Sequence, residues 1–287
     1  WADIVLVSAM IVQKKSVKEV IARCKEKNKL VVAGGPLFTA MPEHFKEVDH
    51  LILNEAEITL RPFLQDLANN KAEHIYTSEV KPDLYDTPIP LWSLINPDNY
   101  MTMAIQFSRG CPHNCKSCDI AATFGRLPRT KTTIQIIEEL EALRKIGWRG
   151  TVFFADDNII GYRKNFEGML PRLIDWQIEH DYPVKLMSQA TVLLANDEKL
   201  MNLMSQANFF KIFLGLESPS DESLVECNKT QNIKRDLGKV VRTIQAHGMQ
   251  VLGGHIVGFD SDRENIFNEQ FKLIQNNGIV VAMVGLL

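Results

Sequence analysis

Short apolar runs alternate with helix-like stretches along most of the chain, and this alternation limits the possible folds more than any other feature. In residues 1–80 the runs are DIVLVSAM, KLVVAGG and HLILNEA, at 3–10, 29–35 and 50–56. The strands of a parallel sheet that is covered on both faces appear as continuous apolar runs, because neither face meets water. The pattern therefore predicts an α/β fold in which a helix follows each strand.

A proline-rich stretch separates this first series of strands from a second one. The stretch KPDLYDTPIPLWSLINPDNY at 81–100 carries four prolines that interrupt regular elements, so we predict a linker between domains at 1–80 and 101–287. The later apolar runs lie at 103–107, 151–155, 183–190, 210–216, 250–259 and 279–287. Six such repeats, without a seventh and an eighth, predict a partial (β/α)6 TIM-like barrel that is curved but not closed.

Capping-box pairs predict where two helices of the second domain begin, because the paired side chains satisfy amide groups that a helix start leaves unbonded. Thr132 with Gln135 predicts a helix that begins there and ends at Gly147. Ser261 with Glu264 predicts the start of the last helix. That helix carries the apolar residues Ile266, Phe267, Phe271 and Ile274.

Composition narrows the class of protein. A formal net charge of -3 provides no broad basic field, so nucleic acid is not an expected partner, whereas a small-molecule or lipid substrate remains open. No apolar run reaches the ~18 residues of a membrane span, and the chain shows no signal-peptide pattern at its start, so a cytoplasmic protein is expected. The chain starts at Trp1, just before the first predicted strand, and ends at Leu287, directly after an apolar run. This pattern predicts a longer protein at both ends.

Three of the five cysteines lie close together, at Cys111, Cys115 and Cys118. Five thiols in a chain of this size do not suit a disulfide framework, and they indicate instead a metal centre in a reducing compartment. Cys24 and Cys227 stand apart and are predicted to be small buried hydrophobic residues.

The clustered cysteines stand in the stretch FSRGCPHNCKSCDI, directly after the first predicted strand of the second domain. In barrels of this kind, catalytic residues lie at the carboxyl ends of the strands. The spacing C-x3-C-x2-C supplies three thiolates, one fewer than a closed zinc site normally takes, whereas a cubane of four irons can leave one iron for another ligand. We therefore predict a [4Fe-4S] cluster on the three cysteines, with a zinc knuckle that uses His113 as fourth ligand as the alternative.

The motif, the strand before it and the repeats after it resemble radical S-adenosylmethionine (SAM) enzymes. The stretches RGCPHNCKSCDI, FGRLPRTK, FFADDNIIG and GGHIVGFDSD resemble the subfamily of cobalamin-binding radical SAM proteins that includes hopanoid methylases. One departure is Ser117, which stands where the family usually carries an aromatic residue near the adenine. The resemblance covers essentially the whole chain and implies that the reduced cluster cleaves SAM to methionine and a 5′-deoxyadenosyl radical.

The resemblance also implies which strand ends contact SAM. Asp156, Asp157 and Asn158 follow the second strand of the barrel, where the family holds the SAM amino group, and carboxylates suit an ammonium. Helix capping or turn formation is the alternative role for the aspartates. Ser188 and Gln189 end the third strand and would face the SAM carboxylate or the substrate, unless they form a polar pair in the core.

Two further strands complete the SAM site that the resemblance implies. Glu217, at the end of the fourth strand, matches the position from which related enzymes bind the ribose. In the fifth strand, Gly254, Ile256 and Gly258 match a segment that lets the backbone approach the adenine. His255 lies among them and would either point into the barrel or, as we expect, pack outward under a helix.

The first domain resembles the Rossmann-like cobalamin-binding module of the same subfamily, truncated at its N-terminus. Ser8 ends the first strand, and Gly34 and Gly35 follow the second, so small residues line the carboxyl edge where open α/β sheets bind ligands. The Asp-x-His-x-x-Gly stretch that supplies a cobalt ligand in many cobalamin domains is absent from this sequence. A Rossmann-like scaffold without a bound cofactor is the alternative.

Together, these features imply a cobalamin-dependent methyltransferase that acts on an unactivated carbon and receives electrons from a donor such as flavodoxin or ferredoxin. Two alternatives stay open. The first is a cobalamin-dependent rearrangement or cyclisation without methyl transfer. The second is a non-catalytic iron–sulfur or zinc protein.

Overall fold

A computed structural model describes residues 2–287, which form two compact units. The first unit ends at Thr87 and the second spans Pro88–Leu287, so the division lies inside the proline-rich stretch. That stretch contains three short 3-10 turns, Leu84–Asp86, Trp92–Leu94 and Pro97–Asn99. Residue 1, which the sequence places just before the first predicted strand, lies outside the described residues. No helix in the described part of the chain is both long and apolar enough to cross a lipid bilayer.

The first unit contains a four-stranded parallel sheet in the order β1-β2-β3-β4. Its strands are β1 (Ile4–Ser8), β2 (Leu30–Gly34), β3 (His50–Ile52) and β4 (Ile75–Tyr76). Its helices are α1 (Lys14–Glu26), α2 (Pro36–Ala40) and α3 (Ala56–Ala68). The first three strands lie inside the predicted apolar runs, whereas β4 is too short to leave a pattern in the sequence.

Apolar side chains pack on both faces of this sheet at β2. Val31 packs on one face with Ile21 of α1, and Val32 packs on the other face with Phe63 of α3. Neighbouring residues of a strand point to opposite faces, so a strand that is covered on both sides must be apolar throughout. Cys24 is half-buried and packs against the first of these two clusters.

The second unit contains a six-stranded sheet in the order β12-β11-β10-β9-β8-β5, in which all neighbouring strands are parallel. A separate antiparallel ribbon pairs β6 with β7. The strands are β5 (Thr102–Ile105), β6 (Ser108–Arg109), β7 (Arg129–Thr130), β8 (Thr151–Phe154), β9 (Lys185–Ala190), β10 (Phe209–Glu217), β11 (Gln250–Val257) and β12 (Val281–Leu286). Within the described residues β5 and β12 are the two edges of the larger sheet. The predicted partial (β/α)6 barrel is confirmed.

Seven helices of the second unit are described. They are α4 (Ile120–Phe124), α5 (Thr133–Lys145), α6 (Arg163–Glu179), α7 (Glu198–Gln206), α8 (Asp221–Glu226), α9 (Leu237–Ala246) and α10 (Ile266–Asn276). Several of them pack apolar side chains on the sheet, among which Leu140 of α5, Leu173 of α6 and Val241 of α9 are fully buried. This packing holds the strand ends, and therefore the loops that follow them, in fixed positions.

The two predicted capping boxes differ in outcome. At the start of α5, the Thr132 hydroxyl accepts the amide hydrogen of Gln135 at 3.2 Å, which confirms the first prediction. The second prediction is wrong, because α10 begins only at Ile266. The Ser261 amide donates instead to a carboxylate oxygen of Glu226 at 2.9 Å. Glu226 of α8 therefore binds the residue that was expected to cap α10.

Candidate active site

A sharp turn leads from β6 into the loop that carries the clustered cysteines. Gly110 has a φ of 95°, and a Cβ atom there would lie 2.9 Å from the carbonyl oxygen of Gly125. The Cys111 amide donates to the same carbonyl oxygen at 3.2 Å. Only glycine combines this backbone conformation with such a close approach, so the turn places Cys111 next to the segment that follows α4.

Asp156 anchors the chain just before this turn. Its carboxylate accepts the amide hydrogens of Phe107 at 3.0 Å and of Ser108 at 2.5 Å, and it accepts the Ser108 hydroxyl as well. The side chain is completely buried, and burial raises its pKa to about 6. The structure therefore places Asp156 in a structural role, away from the cavity that its neighbours line, because both carboxylate oxygens already hold backbone donors.

Side chains from the cysteine loop and from the carboxyl ends of β8, β9, β10 and β11 line a cavity of about 330 Å³. Eight of the predicted site residues meet there, namely Cys111, Cys115, Cys118, Asp157, Asn158, Gln189, Glu217 and Ile256. Sequence reasoning missed seven further lining residues, namely Ile120, Ala190, Thr191, Phe213, Gly215, Lys229 and Gln231. The parallel sheet brings these side chains together because it collects all its carboxyl ends at one edge.

Three other predicted residues lie outside the cavity lining. Ser188 is fully buried, and its hydroxyl donates to the Phe154 carbonyl at 3.0 Å, so it is a polar link between two strands. At Gly254 a Cβ atom would lie 2.6 Å from the Phe213 ring, so this glycine makes room for a side chain that does line the cavity. Gly258 has a φ of 98° and belongs to the turn after β11.

The electrostatic surroundings of the cysteines combine burial with hydrogen-bond donors. Burial raises the pKa of the Cys111 and Cys118 thiols, while the backbone amides of His113 and Ile120, respectively, lower it. All five cysteines of the chain are free thiols, and Cys227 is buried as predicted. Within residues 2–287, no three His, Cys, Asp or Glu side chains converge on a point where one ion would be held. The thiols thus line the cavity as separate groups, and His113 does not complete a tetrahedral set with them.

An acidic and a basic side chain stand in the same cavity. Asp157 is largely buried, and burial, followed by the charge of Asp119, raises its pKa to about 6. Lys229 pairs with Glu217, whose Oε1 lies 2.6 Å from the lysine Nζ. The cavity therefore offers a carboxyl group and an ammonium group to a ligand.

The backbone around Glu217 is strained and is held by α10. Glu217 has a φ of 60°, and the register between β10 and β11 shifts at this point. The Gln270 amide donates to the Glu217 carbonyl at 2.8 Å and to the Ile256 carbonyl at 3.2 Å. The Nδ1 of His255 lies 2.6 Å from the Gln270 Oε1, which confirms that His255 packs outward under a helix. Burial lowers the pKa of His255, so the ring is neutral at pH 7 and donates through Nδ1.

The first unit has a cavity of its own, of about 310 Å³, at the carboxyl ends of its strands. The predicted residues Ser8, Gly34 and Gly35 all line it. A Cβ atom at Gly34 would lie 2.6 Å from the Ile52 carbonyl oxygen, and one at Gly35 would lie 2.6 Å from the Ser8 Oγ. The two glycines therefore keep this edge of the sheet open.

Comparisons with known proteins agree with this architecture. The sequence profile of the Radical SAM superfamily matches residues 105–269. The chain is 39% identical over 289 residues to an uncharacterized methyltransferase of Synechocystis sp., covering 100% of this chain and 54% of that protein. It is 33% identical over 291 residues to the hopanoid C-2 methylase of Rhodopseudomonas palustris, covering 100% of this chain and 55% of that protein. The chain thus spans about half the length of these two relatives.

A solved structure shares the fold of the whole described chain. It is the radical S-adenosylmethionine methyltransferase TsrM from Kitasatospora setae, with cobalamin and a [4Fe-4S] cluster bound. The TM-score is 0.81 at 15% sequence identity, over 99% of this chain and 64% of that one. At this identity the likeness shows a common fold.

Proposed function

Because this chain belongs to the radical SAM superfamily, we propose that its second unit cleaves SAM reductively at a [4Fe-4S] cluster held by Cys111, Cys115 and Cys118. We further propose that the protein is a cobalamin-dependent methyltransferase that acts on an unactivated carbon. The observation that carries the proposal is the convergence of the three thiols with a carboxyl and an ammonium group in one cavity.

The donor set fits an iron–sulfur cubane. Three thiols of one short loop line the same cavity, but they do not converge as the ligands of a single ion would. A cubane accepts this arrangement because each thiolate binds a different iron, whereas zinc draws its ligands to within about 2.3 Å of one point. The fourth iron would then be free to bind the amino and carboxylate groups of SAM.

The cavity also fits the parts of SAM. Asp157 lines the cavity and would receive the amino group, since an ionised carboxylate pairs with an ammonium. Gln189 offers an amide to the SAM carboxylate, and Glu217 offers a carboxylate to the ribose hydroxyls. Phe213 and Ile256 provide apolar surface for the adenine, which would replace the aromatic contact that Ser117 cannot make.

When bound, the cluster supplies the electron that divides SAM into methionine and a 5′-deoxyadenosyl radical, which takes a hydrogen atom from the substrate. The residues of this chain position SAM and keep water from the radical. Buried Asn158 and half-buried Phe213, which line the cavity, would serve this second task.

The first unit is proposed to bind cobalamin, which would carry the methyl group. Support comes from the cavity at the ends of its strands, where Ser8, Gly34 and Gly35 leave room for a ligand. In open α/β sheets, ligands bind at this edge. The relative that methylates hopanoids at C-2 favours methyl transfer and suggests a polycyclic lipid among the possible substrates.

The remaining parts of the proposal concern the surroundings of the reaction. The cluster must receive electrons from a small donor such as flavodoxin or ferredoxin. Free thiols that serve as cluster ligands suit the reducing cytoplasm. A small-molecule or lipid substrate agrees with the net charge of -3, which provides no field for nucleic acid.

The proposal is tested by anaerobic reconstitution of the protein with iron and sulfide, followed by dithionite reduction in the presence of SAM. We expect 5′-deoxyadenosine to form, and an intact cluster that forms none would refute SAM cleavage. Cys115→Ala should lose both the cluster and the product, whereas Cys24→Ala, in the first unit, should keep both. Incubation with hydroxocobalamin followed by desalting should leave a coloured protein, and a colourless one would refute cobalamin binding. The mass of the substrate's product then distinguishes methyl transfer from rearrangement.

A further inference from the structure

The segment that follows α8 packs directly on the cysteine loop. The Lys116 amide donates to the Cys227 carbonyl at 2.8 Å. The Asn228 side-chain amide donates to the Asn114 carbonyl at 2.6 Å. The two segments are more than a hundred residues apart in the chain, so these contacts are made by the fold and not by local sequence.

Gln231 extends from this segment to one of the cysteine sulfurs. Its Nε2 lies 3.7 Å from the Cys115 Sγ, within the range of a hydrogen bond to sulfur. The side chain is 7% exposed, and its Oε1 is buried without a hydrogen-bond partner among the described residues. The backbone nearby is fixed, because the Arg235 guanidinium donates to the Gln231 carbonyl at 2.6 Å and the Asn232 amide donates to the Gly215 carbonyl at 3.0 Å.

The other two sulfurs also have N–H donors, but from closer in the chain or from the next strand. The His113 backbone amide and the Asn158 side chain lower the pKa of the Cys111 thiol. The Ile120 backbone amide lowers the pKa of the Cys118 thiol. Gln231 thus brings to Cys115 the kind of contact that the loop itself supplies to Cys111 and Cys118.

An N–H group that donates to a ligand sulfur withdraws electron density from the metal and favours the reduced state, so it raises the reduction potential of an iron–sulfur cluster. We propose that Gln231 is a positioning residue that sets the potential of the cluster through its hydrogen bond to Cys115. The inference rests on the proposed function, because it requires the cluster on the three cysteines. Under this proposal, the reduction potential of the cluster depends on how the segment after α8 packs on the cysteine loop.

The test is a redox titration of the reconstituted protein, without SAM, followed by electron paramagnetic resonance of the reduced cluster. Gln231→Leu removes the donor at similar volume, and Gln231→Glu replaces it with an acceptor that carries negative charge. We expect the midpoint potential to shift to more negative values in Gln231→Leu and further in Gln231→Glu. The matched control is Gln206→Leu, at an exposed position of α7, which should titrate like the wild type.

The iron and sulfide content of each protein is measured first, so that a failure of this inference can be distinguished from a failure of the proposed function. A Gln231→Leu protein with a full cluster and the wild-type potential would overturn the inference and leave the proposed function standing. If both variants lose the cluster, Gln231→Asn, which draws the amide back by one methylene, is titrated in their place, and an unchanged potential overturns the inference. Loss of the cluster in all three variants would make Gln231 necessary for ligation and would also overturn a tuning role. A wild-type protein that binds no cluster would refute the proposed function itself.

Discussion

Lys229 and Glu217 form an ion pair in the wall of the candidate active site, with Nζ 2.6 Å from Oε1. Their side chains are only 12% and 13% exposed. A Cβ atom at Gly215 would lie 2.5 Å from the Glu217 Oε1 and 2.7 Å from the Lys229 Nζ, so the pair lies directly over this glycine. Burial of both charges makes the pair sensitive to the loss of either partner, since the remaining charge would stay out of water.

Lys229→Met should therefore destabilise the protein by about 3 kcal/mol, because Glu217 keeps its buried position without a counter-charge. The measurement is urea denaturation of the cluster-free protein. The double variant Lys229→Met, Glu217→Gln should recover part of the loss. Arg172→Met is the control, because it breaks a pair whose side chains are 44% and 52% exposed and should change stability by less than about 1 kcal/mol. Equal stabilities of Lys229→Met and the control would contradict the prediction.

Gln270→Leu should weaken SAM binding from outside the cavity. Gln270 holds the carbonyl groups of Glu217 and Ile256, both of which line the cavity, and it accepts from His255. Its loss leaves a buried His255 donor unpaired, at a cost of about 2 kcal/mol of stability. We expect the KM for SAM to rise more than kcat falls, as measured by formation of 5′-deoxyadenosine. Gln275→Leu, exposed on the same helix, should change neither value. A stability loss with unaltered kinetics would show that Gln270 does not position the cavity wall.

Gly35→Ala should prevent the first unit from retaining cobalamin. Gly35 has a φ of 89° and a ψ of -178°, a region that is essentially restricted to glycine and costs another residue about 1–3 kcal/mol, and the new methyl group would lie against the Ser8 Oγ. The measurement is the cobalamin absorbance that remains after desalting. Gly147→Ala is the control, because it also adds a side chain at a positive φ, of 88°, but no atom lies within 4 Å of the added Cβ. It should bind cobalamin normally. Retention by Gly35→Ala equal to that of the control would argue against this cavity as the binding site.

The contribution of Asp156 to the stability of the cluster-free protein should fall as the pH rises from about 4 to about 6. Burial raises the pKa of Asp156 to about 6 from the model-peptide value of 3.8, so between these values the folded state binds more protons than the unfolded state. Asp156 should contribute a loss of stability on the order of 3 kcal/mol, and this loss is complete above pH 6. Urea midpoints across this range should change less steeply in Asp156→Asn. Asp175→Asn, at an exposed position, should follow the wild type. A variant slope as steep as the wild-type slope would contradict the assignment.

Much of the fold could be predicted because its signals are local. The strands β5 and β8–β11 coincide with apolar runs, since a strand covered by helices must be apolar over its own length. The edge strand β12 also coincides with an apolar run, although most of its side chains are exposed. The three cysteines lie in one short loop, so their proximity can be predicted without knowledge of the fold. The capping pair Thr132 and Gln135 was predicted for the same reason, because both partners belong to one helical turn.

Other parts of the site depend on contacts between distant segments. Ser261 was expected to cap a helix, but Glu226, which precedes it by 35 residues, holds its amide. Asp156 was expected to face SAM, but it accepts the amides of Phe107 and Ser108. A carboxylate that follows a strand has the same sequence pattern in either role, and only the neighbouring strand determines which donors it meets.

The sequence by itself determined the α/β class, the partial barrel and the grouping of three cysteines in one loop, because hydrophobic periodicity and cysteine spacing are properties of short stretches of chain. Only the tertiary structure decided that Lys229 and Gln231 belong to the same site. Gln231 reaches Cys115 across 116 residues, and no local pattern distinguishes it from other polar residues of a loop. Parallel pairing brings the carboxyl ends of distant strands to one edge of the sheet. The register between these strands determines which polar side chains meet there.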